Sequence, residues 1–188
     1  MTSVWENIYS KNQQLNLYPF TEVVSFCLRN WGQKSENNLS ALDVGCGSGV
    51  HSHFLAELGF NVYAFDESES AINSANKLFY HRNIIYEVNN LINIKFNENH
   101  FDFVLDRLSS SHTSLNTTKT FYSNIRKHLN PGSKIFWEGF CWDNSARDYG
   151  KKDDDGSWNN FSKGQLKNLG NVVFFKEKDI EELFKNYK

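Results

Sequence analysis

The sequence predicts a single α/β domain built on a doubly wound, mostly parallel β-sheet, and three observations carry this prediction. Apolar runs of strand length alternate with segments of helical periodicity over residues 39–140, a pattern typical of parallel strands joined by right-handed helical crossovers. The first apolar run ends in a glycine-rich turn that leads into a helix. The chain has 188 residues, 39% hydrophobic and 15% aromatic, which suffices for one globular core.

The N-terminal part predicts an aromatic-rich arm and one helix. From Pro19 onward, apolar residues recur at helical spacing until Gly32, so we expect a helix over this stretch. The arm forms either a lid that closes over a ligand or a helix packed on the sheet, and the two interpretations are compatible. The aromatic side chains that would form the lid are Trp5, Tyr9, Tyr18 and Phe20.

The central part predicts five strands with helices between them. The strands are expected at 39–44, 61–66, 84–88, 101–106 and 134–140. The connecting helices are expected at about 50–58, 67–80 and 121–129, with polar loops at 33–38 and 89–99. The run Asn130-Pro131-Gly132 is expected to end the last of these helices, because proline cannot continue a helix.

The last part of the chain is less regular. Residues 141–175 form a connection too long for an ordinary loop, so we expect a functional or mobile segment there. A short strand is predicted at 172–175 and an amphipathic helix at 179–187. The single domain, 1–188, therefore divides into an N-terminal arm and helix (1–32), a ligand-binding core (39–140) and a long loop with a final helix (141–188).

Composition argues against several classes of function. The net charge is −2 and basic blocks are short, so we expect neither nucleic acid nor an anionic membrane as a partner. The N-terminus lacks the features of a secretion signal, no apolar run is long enough to span a membrane, and the 3 cysteines are widely spaced. We therefore expect a cytoplasmic protein. No spacing typical of metal ligands occurs, so no metal site is predicted.

The glycine-rich turn indicates a ligand-binding loop. Gly45, Gly47 and Gly49 allow positive φ angles and place free backbone N–H groups at the start of a helix. Their spacing fits neither the dinucleotide fingerprint G-x-G-x-x-G nor the phosphate-binding loop. Asp43 lies just before the turn and would repel a diphosphate but attract an ammonium or sulfonium group. The loop therefore favours a cationic ligand.

The stretch Leu42-Asp43-Val44-Gly45-Cys46-Gly47-Ser48-Gly49 resembles motif I of the class I S-adenosylmethionine-dependent methyltransferases. The resemblance implies a Rossmann-like sheet with strand order 3-2-1-4-5, S-adenosylmethionine as cofactor and S-adenosylhomocysteine as product. It also implies which residues bind the methionine portion of the cofactor and which residues of the N-terminal arm cover that portion. These are Asp43, Gly45, Cys46, Gly47, Ser48, Gly49, Asp106, Arg107, Tyr9 and Tyr18.

Asp66 is the predicted ribose-binding acid. It closes the second strand, 21 residues after Gly45, where a carboxylate accepts hydrogen bonds from both hydroxyls of a nucleoside. The alternative is that Asp66 only caps the following helix beside Glu67, which we also place at the cofactor. The run Asn89-Asn90-Leu91 resembles the family's adenine-facing stretch, with Asn90 at the position where an acid is more common.

Three residues are candidates for a general base: His112, Asp106 and Glu138. His112 is favoured because an imidazole titrates near neutral pH and this one follows the fourth strand. The alternatives remain a solvated or structural histidine and, for Asp106 and Arg107, a structural ion pair. His51 and His53 are interpreted as packing or surface residues.

The resemblance implies methyl transfer to an oxygen or nitrogen of a small metabolite or sugar, without a metal. The sequence lacks the N-P-P-Y or D-P-P-Y run of adenine-methylating enzymes, and its Asn- and Lys-rich usage resembles that of AT-rich bacteria. Two alternatives stay open: a module that binds S-adenosylmethionine without catalysis, and a nicotinamide-dependent oxidoreductase, against which the glycine spacing and Asp43 count.

The fifth strand is expected to have a free edge. The family usually adds two further strands beyond it, for which no residues remain after 187. Unpaired backbone groups on a strand with Ile135, Phe136 and Trp137 favour association. Three outcomes are open: residues 172–175 pair on that edge, a second copy covers it in a homodimer, or the chain is part of a longer protein.

Overall fold

The computed structural model describes residues 3–32, 38–96 and 101–187. The predicted loops 33–38 and 89–99 therefore lie partly outside the described residues. The main sheet contains β1 (Ser40–Val44), β2 (Asn61–Asp66), β3 (Ile84–Val88), β4 (Phe101–Arg107) and β5 (Leu129–Glu138). The helices are α1 (Val4–Tyr9), α2 (Thr21–Trp31), α3 (Val50–Glu57), α4 (Glu69–Leu78), α5 (Leu115–Ile125) and α6 (Glu177–Phe184).

The five strands form one sheet in the order β3-β2-β1-β4-β5, and every neighbouring pair is parallel. The predicted fold class and strand order are confirmed. Val44 at the end of β1 is in register with Phe65 on one side and Asp106 on the other. The carboxyl ends of the central strands thus meet at one edge of the sheet, where open parallel sheets bind ligands.

Apolar side chains cover both faces of the sheet, as a doubly wound fold requires. On one face, Val23 and Cys27 of α2 and Leu55 of α3 pack against β1 and β4. On the other face, Phe121 and Ile125 of α5 are buried together with residues from the same strands. The three central strands, β2, β1 and β4, are therefore shielded from water on both faces.

The boundary between α5 and β5 differs from the prediction. Helix α5 begins at Leu115, with Ser114 Oγ accepting a hydrogen bond from the N–H of Thr117 at 3.1 Å. The predicted helix begins only at about 121, but Ser114 caps a helix that starts at Leu115. The helix ends at Ile125, and the expected end at Asn130-Pro131-Gly132 is wrong, because β5 already begins at Leu129. Proline is tolerated there because β5 is an edge strand.

The tail builds a small subdomain of its own. Four two-residue strands form two small sheets: β6 (Phe140–Cys141), β7 (Lys151–Lys152), β8 (Trp158–Asn159) and β9 (Phe174–Phe175). Strand β9 pairs in parallel with β6, so pairing of 172–175 on the β5 edge, one of the three open outcomes, is not observed. Strand β9 pairs with β6 because Phe174 of β9 and Phe140 of β6 share an apolar cluster with Phe161 and Leu166.

Strand β5 remains the terminal strand of the main sheet, although Trp137 packs edge-on against Phe175 at 4.9 Å between ring centroids. Association of two copies through this edge stays a prediction. None of the helices in the described part of the chain has the length and apolar character needed to cross a lipid bilayer.

Candidate active site

A cavity of about 670 Å³ opens at the carboxyl edge of the sheet. Its walls come from the glycine loop, the ends of β2, β3 and β4, helix α1 and the tail subdomain. Twelve of the residues predicted to bind a cofactor line it: Tyr9, Asp43, Gly45, Cys46, Gly47, Ser48, Asp66, Glu67, Asn89, Asn90, Leu91 and Arg107. Residues distant in sequence thus converge on one space large enough for a nucleoside-sized ligand.

The glycine loop needs glycine for two reasons. Gly45, Gly47 and Gly49 all have positive φ, at 61°, 56° and 87°, a region that disfavours side chains. The loop is also packed closely by the protein: a Cβ on Gly45 would lie 2.5 Å from Ser109 Cβ, and one on Gly47 would lie 2.3 Å from Tyr9 Oη. Gly49 does not line the cavity but precedes α3, with its backbone against Ala75.

Asp66 connects the end of β2 to the glycine loop. One carboxylate oxygen accepts a hydrogen bond from the N–H of Gly47 and the other from the N–H of Ser68, both at 2.9 Å. The side chain is buried, and desolvation raises its pKa to about 6. A carboxylate oxygen has room for a second donor, so this group can still accept hydrogen bonds from a ligand's hydroxyls.

Asp43 places a second buried carboxylate beside the loop. Ser52 Oγ donates a hydrogen bond to Asp43 Oδ2 at 2.6 Å. Burial, with the nearby charges of Asp66 and Asp106 as smaller causes, raises the Asp43 pKa to about 7. No ion pair to Asp43 or Asp66 occurs among the residues that the structure describes. A cationic ligand would therefore be stabilised at this position.

The loop after β3 lies at the same edge. The N–H of Asn89 donates to the carbonyl oxygen of Asp66 at 3.0 Å, which fixes this loop beside β2. Asn90 Oδ1 accepts from the N–H groups of Ile92 and Asn93 at 3.0 and 2.9 Å. Both lone pairs of that oxygen are used within the turn, so the expected bond from an adenine amino group to it is not supported by the geometry.

Three predicted site residues near the ends of β4 and β5 lie in different surroundings. Asp106 is fully buried and outside the cavity, where it accepts hydrogen bonds from Tyr122 Oη at 2.8 Å and the Ser110 N–H at 3.2 Å. Burial raises its pKa to about 6. Arg107 lines the cavity, its guanidinium 3.4 Å from the centre of the Phe20 ring. Glu138 lies outside it and pairs with Arg107 at 3.3 Å. Neither acid is placed to act as a base.

His112 is the candidate base that reaches the cavity. Its ring lies edge-on to Trp5 and Phe140, at 4.8 and 5.7 Å between centroids. Desolvation lowers its pKa to about 4, although the backbone carbonyls of Asn171 and Leu169 act in the opposite direction. The imidazole is therefore neutral near pH 7. Nδ1 is buried without a hydrogen-bond partner, while other atoms of the residue line the cavity.

The aromatic arm divides into two parts. Trp5 and Tyr9 lie on α1 and line the cavity, as does Phe20, which precedes α2. Tyr18 is 83% exposed and lies outside the cavity, so the structure does not bring it to the predicted site. The arm is thus a helix packed over the carboxyl edge, and its closure over a ligand stays a prediction.

Sequence reasoning missed part of the lining. His51, expected to be a packing or surface residue, lines the cavity while its Nε2 accepts a hydrogen bond from the Phe20 N–H at 3.3 Å. The tail contributes Phe140, Gln165, Leu166 and Leu169. No local sequence pattern identifies these tail residues as part of the site. They reach the cavity only because the tail subdomain folds against the edge of the sheet.

The comparisons with known proteins agree with this architecture. Residues 41–132 match the family model described as a methyltransferase domain. The chain is 28% identical over 123 residues to the phosphoethanolamine N-methyltransferase of Plasmodium falciparum. The aligned region covers 61% of this chain and 46% of that protein. The chain therefore spans less than half the length of that relative.

Solved structures show the same fold. The PH0226 protein from Pyrococcus horikoshii superposes with a TM-score of 0.68 at 22% identity, covering 88% of this chain and 79% of that one. Magnesium protoporphyrin IX methyltransferase from Synechocystis with bound S-adenosylmethionine gives a TM-score of 0.60 at 18% identity, with coverages of 88% and 64%. Residues 41–132 thus match a methyltransferase domain, and the fold around them is shared with a solved methyltransferase structure that holds S-adenosylmethionine.

Proposed function

We propose that this protein binds S-adenosylmethionine in the cavity and transfers its methyl group to an oxygen or nitrogen atom of a small metabolite, a sugar being one candidate. The observation that carries the proposal is the convergence of the glycine loop, two buried carboxylates and a neutral histidine on one cavity. The names of the family and of the Plasmodium relative support it.

The residues present fit this cofactor. Asp66 would accept the ribose hydroxyls, since its carboxylate faces the cavity from the end of β2. The N–H groups of the glycine loop and the carboxylate of Asp43 would lie beside the amino-acid portion and the positive charge. The Arg107 guanidinium, oriented by Phe20 and Glu138, would bind the cofactor's carboxylate.

The cofactor supplies a methyl group on a positively charged sulfur, which is a good leaving group. The chain itself has to place the acceptor in line, exclude water and take up a proton if the acceptor carries one. As the new O–C or N–C bond forms and the S–C bond breaks, that proton becomes acidic. On an oxygen acceptor, the proton of the forming oxonium is far more acidic than an imidazolium, so His112, neutral at pH 7, accepts it. An amine acceptor has to be neutral before it attacks.

A test uses purified protein, S-adenosylmethionine and a panel of acceptors that contains sugars, small alcohols and amines, with phosphoethanolamine included because of the relative's name. The measurement is the formation of S-adenosylhomocysteine. We expect one acceptor class to stimulate it. Cofactor binding without turnover on any acceptor would favour the non-catalytic binding module instead.

The variant His112→Gln tests the proton-transfer role on that acceptor. Loss of a general base costs about 10²–10⁴-fold in rate, and we expect the affinity for S-adenosylhomocysteine to stay unchanged. His128→Gln is the matched control, because His128 lies outside the cavity lining. Full turnover of His112→Gln at neutral pH would assign proton transfer to solvent or to another group.

A further inference from the structure

Helix α1 is attached to α4 through a carboxylate that the site described above does not include. Glu6 Oε2 accepts hydrogen bonds from Ser68 Oγ at 2.7 Å and from the Ser70 N–H at 3.0 Å, and Ser70 Oγ donates to Glu6 Oε1. These donors surround the N-terminus of α4, where Ser68 is the capping residue. Free N–H groups at a helix N-terminus stabilise a negative charge.

The same contact leads directly into the proposed cofactor site. The Ser68 hydroxyl donates to the Glu6 carboxylate, and the Ser68 backbone N–H donates to Asp66 Oδ1 at 2.9 Å. Asp66 in turn accepts from the N–H of Gly47. Glu6, Ser68, Asp66 and the glycine loop therefore form one continuous hydrogen-bonded chain from α1 to the cavity floor.

Helix α1 also covers the cavity from above. Tyr9 Oη lies against Gly47, where a Cβ would be 2.3 Å away. Trp5 packs edge-on against His112, and Val4 contacts Gly170 of the tail. A ligand that lies on the glycine loop is thus enclosed by α1, and the position of this helix determines whether the enclosure is complete.

Apart from these packing contacts, the six-residue helix has weak support of its own. Ile8 is its buried residue, and the link from Ser10 to Pro19 is largely exposed, with positive φ at Asn12 and Gln14. Isolated helices of this length are unstable in water. The three hydrogen bonds to Glu6 are charge-assisted, which makes them stronger than neutral ones.

We propose that α1 closes over bound cofactor and that Glu6 is the positioning residue that fixes the closed state, through Ser68 and Ser70. The proposal rests on the proposed function, because the ligand that α1 encloses is the cofactor. Glu6 does not line the cavity. It acts on the ligand only through α1 and through the hydrogen bonds that hold Asp66.

The experiment compares Glu6→Gln with Glu22→Gln, a matched control in the first turn of α2 that is exposed. The measurement is the dissociation rate of S-adenosylhomocysteine by stopped-flow competition. Glu6→Gln is expected to accelerate dissociation about tenfold, which corresponds to about 1.4 kcal/mol, with a smaller change in the association rate. Glu22→Gln is expected to behave like the wild type.

Two further measurements distinguish a contact that fixes α1 in the closed position from one that only stabilises the fold. Hydrogen exchange should show that bound S-adenosylhomocysteine protects the α1 amides in the wild type and protects them less in Glu6→Gln. The effects of Glu6→Gln and Ser70→Ala on dissociation should be non-additive, since both remove the same contact.

Dissociation from Glu6→Gln within twofold of the wild type would overturn the proposal, even if the variant were less stable. Failure of the wild type to bind S-adenosylhomocysteine is a different result, because it contradicts the proposed function. In that case, faster amide exchange of α1 in ligand-free Glu6→Gln would still support Glu6 as the contact that holds the helix, and unchanged exchange would contradict it.

Discussion

At the scale of single residues, the polar positions near the ends of β1 and β2 could be predicted, whereas the inward orientation of Asp106 could not. Asp43 is the next-to-last residue of β1 and Asp66 is the last residue of β2, so sequence alone indicates where they lie. Asp106 also ends a strand, but Tyr122 and Ser110 bind it from the interior. The partner that turns an acid inward comes from another helix, and no local pattern reveals it.

Replacement of Asp66 by alanine is expected to weaken the binding of S-adenosylhomocysteine by about 10- to 150-fold, or about 1.5–3 kcal/mol. Part of the loss comes from the N–H groups of Gly47 and Ser68, which lose their acceptor. Calorimetric titration measures the effect, with the exposed Asp148→Ala as control. Equal affinity of Asp66→Ala and the wild type would remove the ribose assignment.

The affinity for S-adenosylhomocysteine is expected to rise with pH. Burial raises the pKa of Asp66 to about 6 in the free protein, and ligand hydroxyls donate to the ionised form. A group with this pKa is about 10% ionised at pH 5 and about 90% at pH 7, so affinity should increase about tenfold over this range. Asp43, with a pKa of about 7, acts in the same direction.

Binding is a better readout of these shifts than stability. The raised pKa values of Asp43, Asp66 and Asp106 lower the free energy of unfolding as pH rises from about 4 to 7. The lowered pKa values of His51 and His112, both about 4, raise it over nearly the same range. Titrations at pH 5, 6 and 7 with the wild type and Asp66→Asn are therefore the measurement. A constant or falling affinity of the wild type would contradict the role of Asp66.

At the scale of elements, the glycine loop joins β1 to α3 and is packed by the loop after β4. Its existence was clear from sequence, but the packing partner was not. Ser109 Oγ donates to the carbonyl oxygen of Gly45 at 3.1 Å, across 64 positions of sequence. The ends of the helices were predicted less well. A serine such as Ser114 can lie in a loop or cap a helix, and a proline such as Pro131 can end a helix or lie in an edge strand.

The variant Gly45→Ala is expected to cost more stability than Gly156→Ala. Both glycines have positive φ, at 61° and 82°, so both variants carry a similar backbone cost of about 1–2 kcal/mol. A Cβ on Gly45 would lie 2.5 Å from Ser109 Cβ, whereas one on Gly156 meets nothing within 4 Å. Overpacking adds about 1–3 kcal/mol. Urea unfolding measures the difference, and equal losses for the two variants would contradict the packing argument.

At the scale of the whole molecule, the alternation of strands and helices was enough to predict the sheet and, with the family resemblance, its order. The tail subdomain could not be predicted, because its strands have two residues each and its core joins Phe140 to residues more than 20 positions away. This subdomain supplies one wall of the cavity, so that wall is the part of the site that sequence described least.

Calorimetric titration of the wild-type protein with S-adenosylhomocysteine, and separately with NADH, tests whether the cavity binds the methyltransferase cofactor. We expect saturable binding of one S-adenosylhomocysteine per chain and no binding of NADH, because Asp43 disfavours a diphosphate on this loop. A folded protein that gives no binding heat with S-adenosylhomocysteine at several temperatures, or that binds NADH in its place, would show that the cavity serves another ligand.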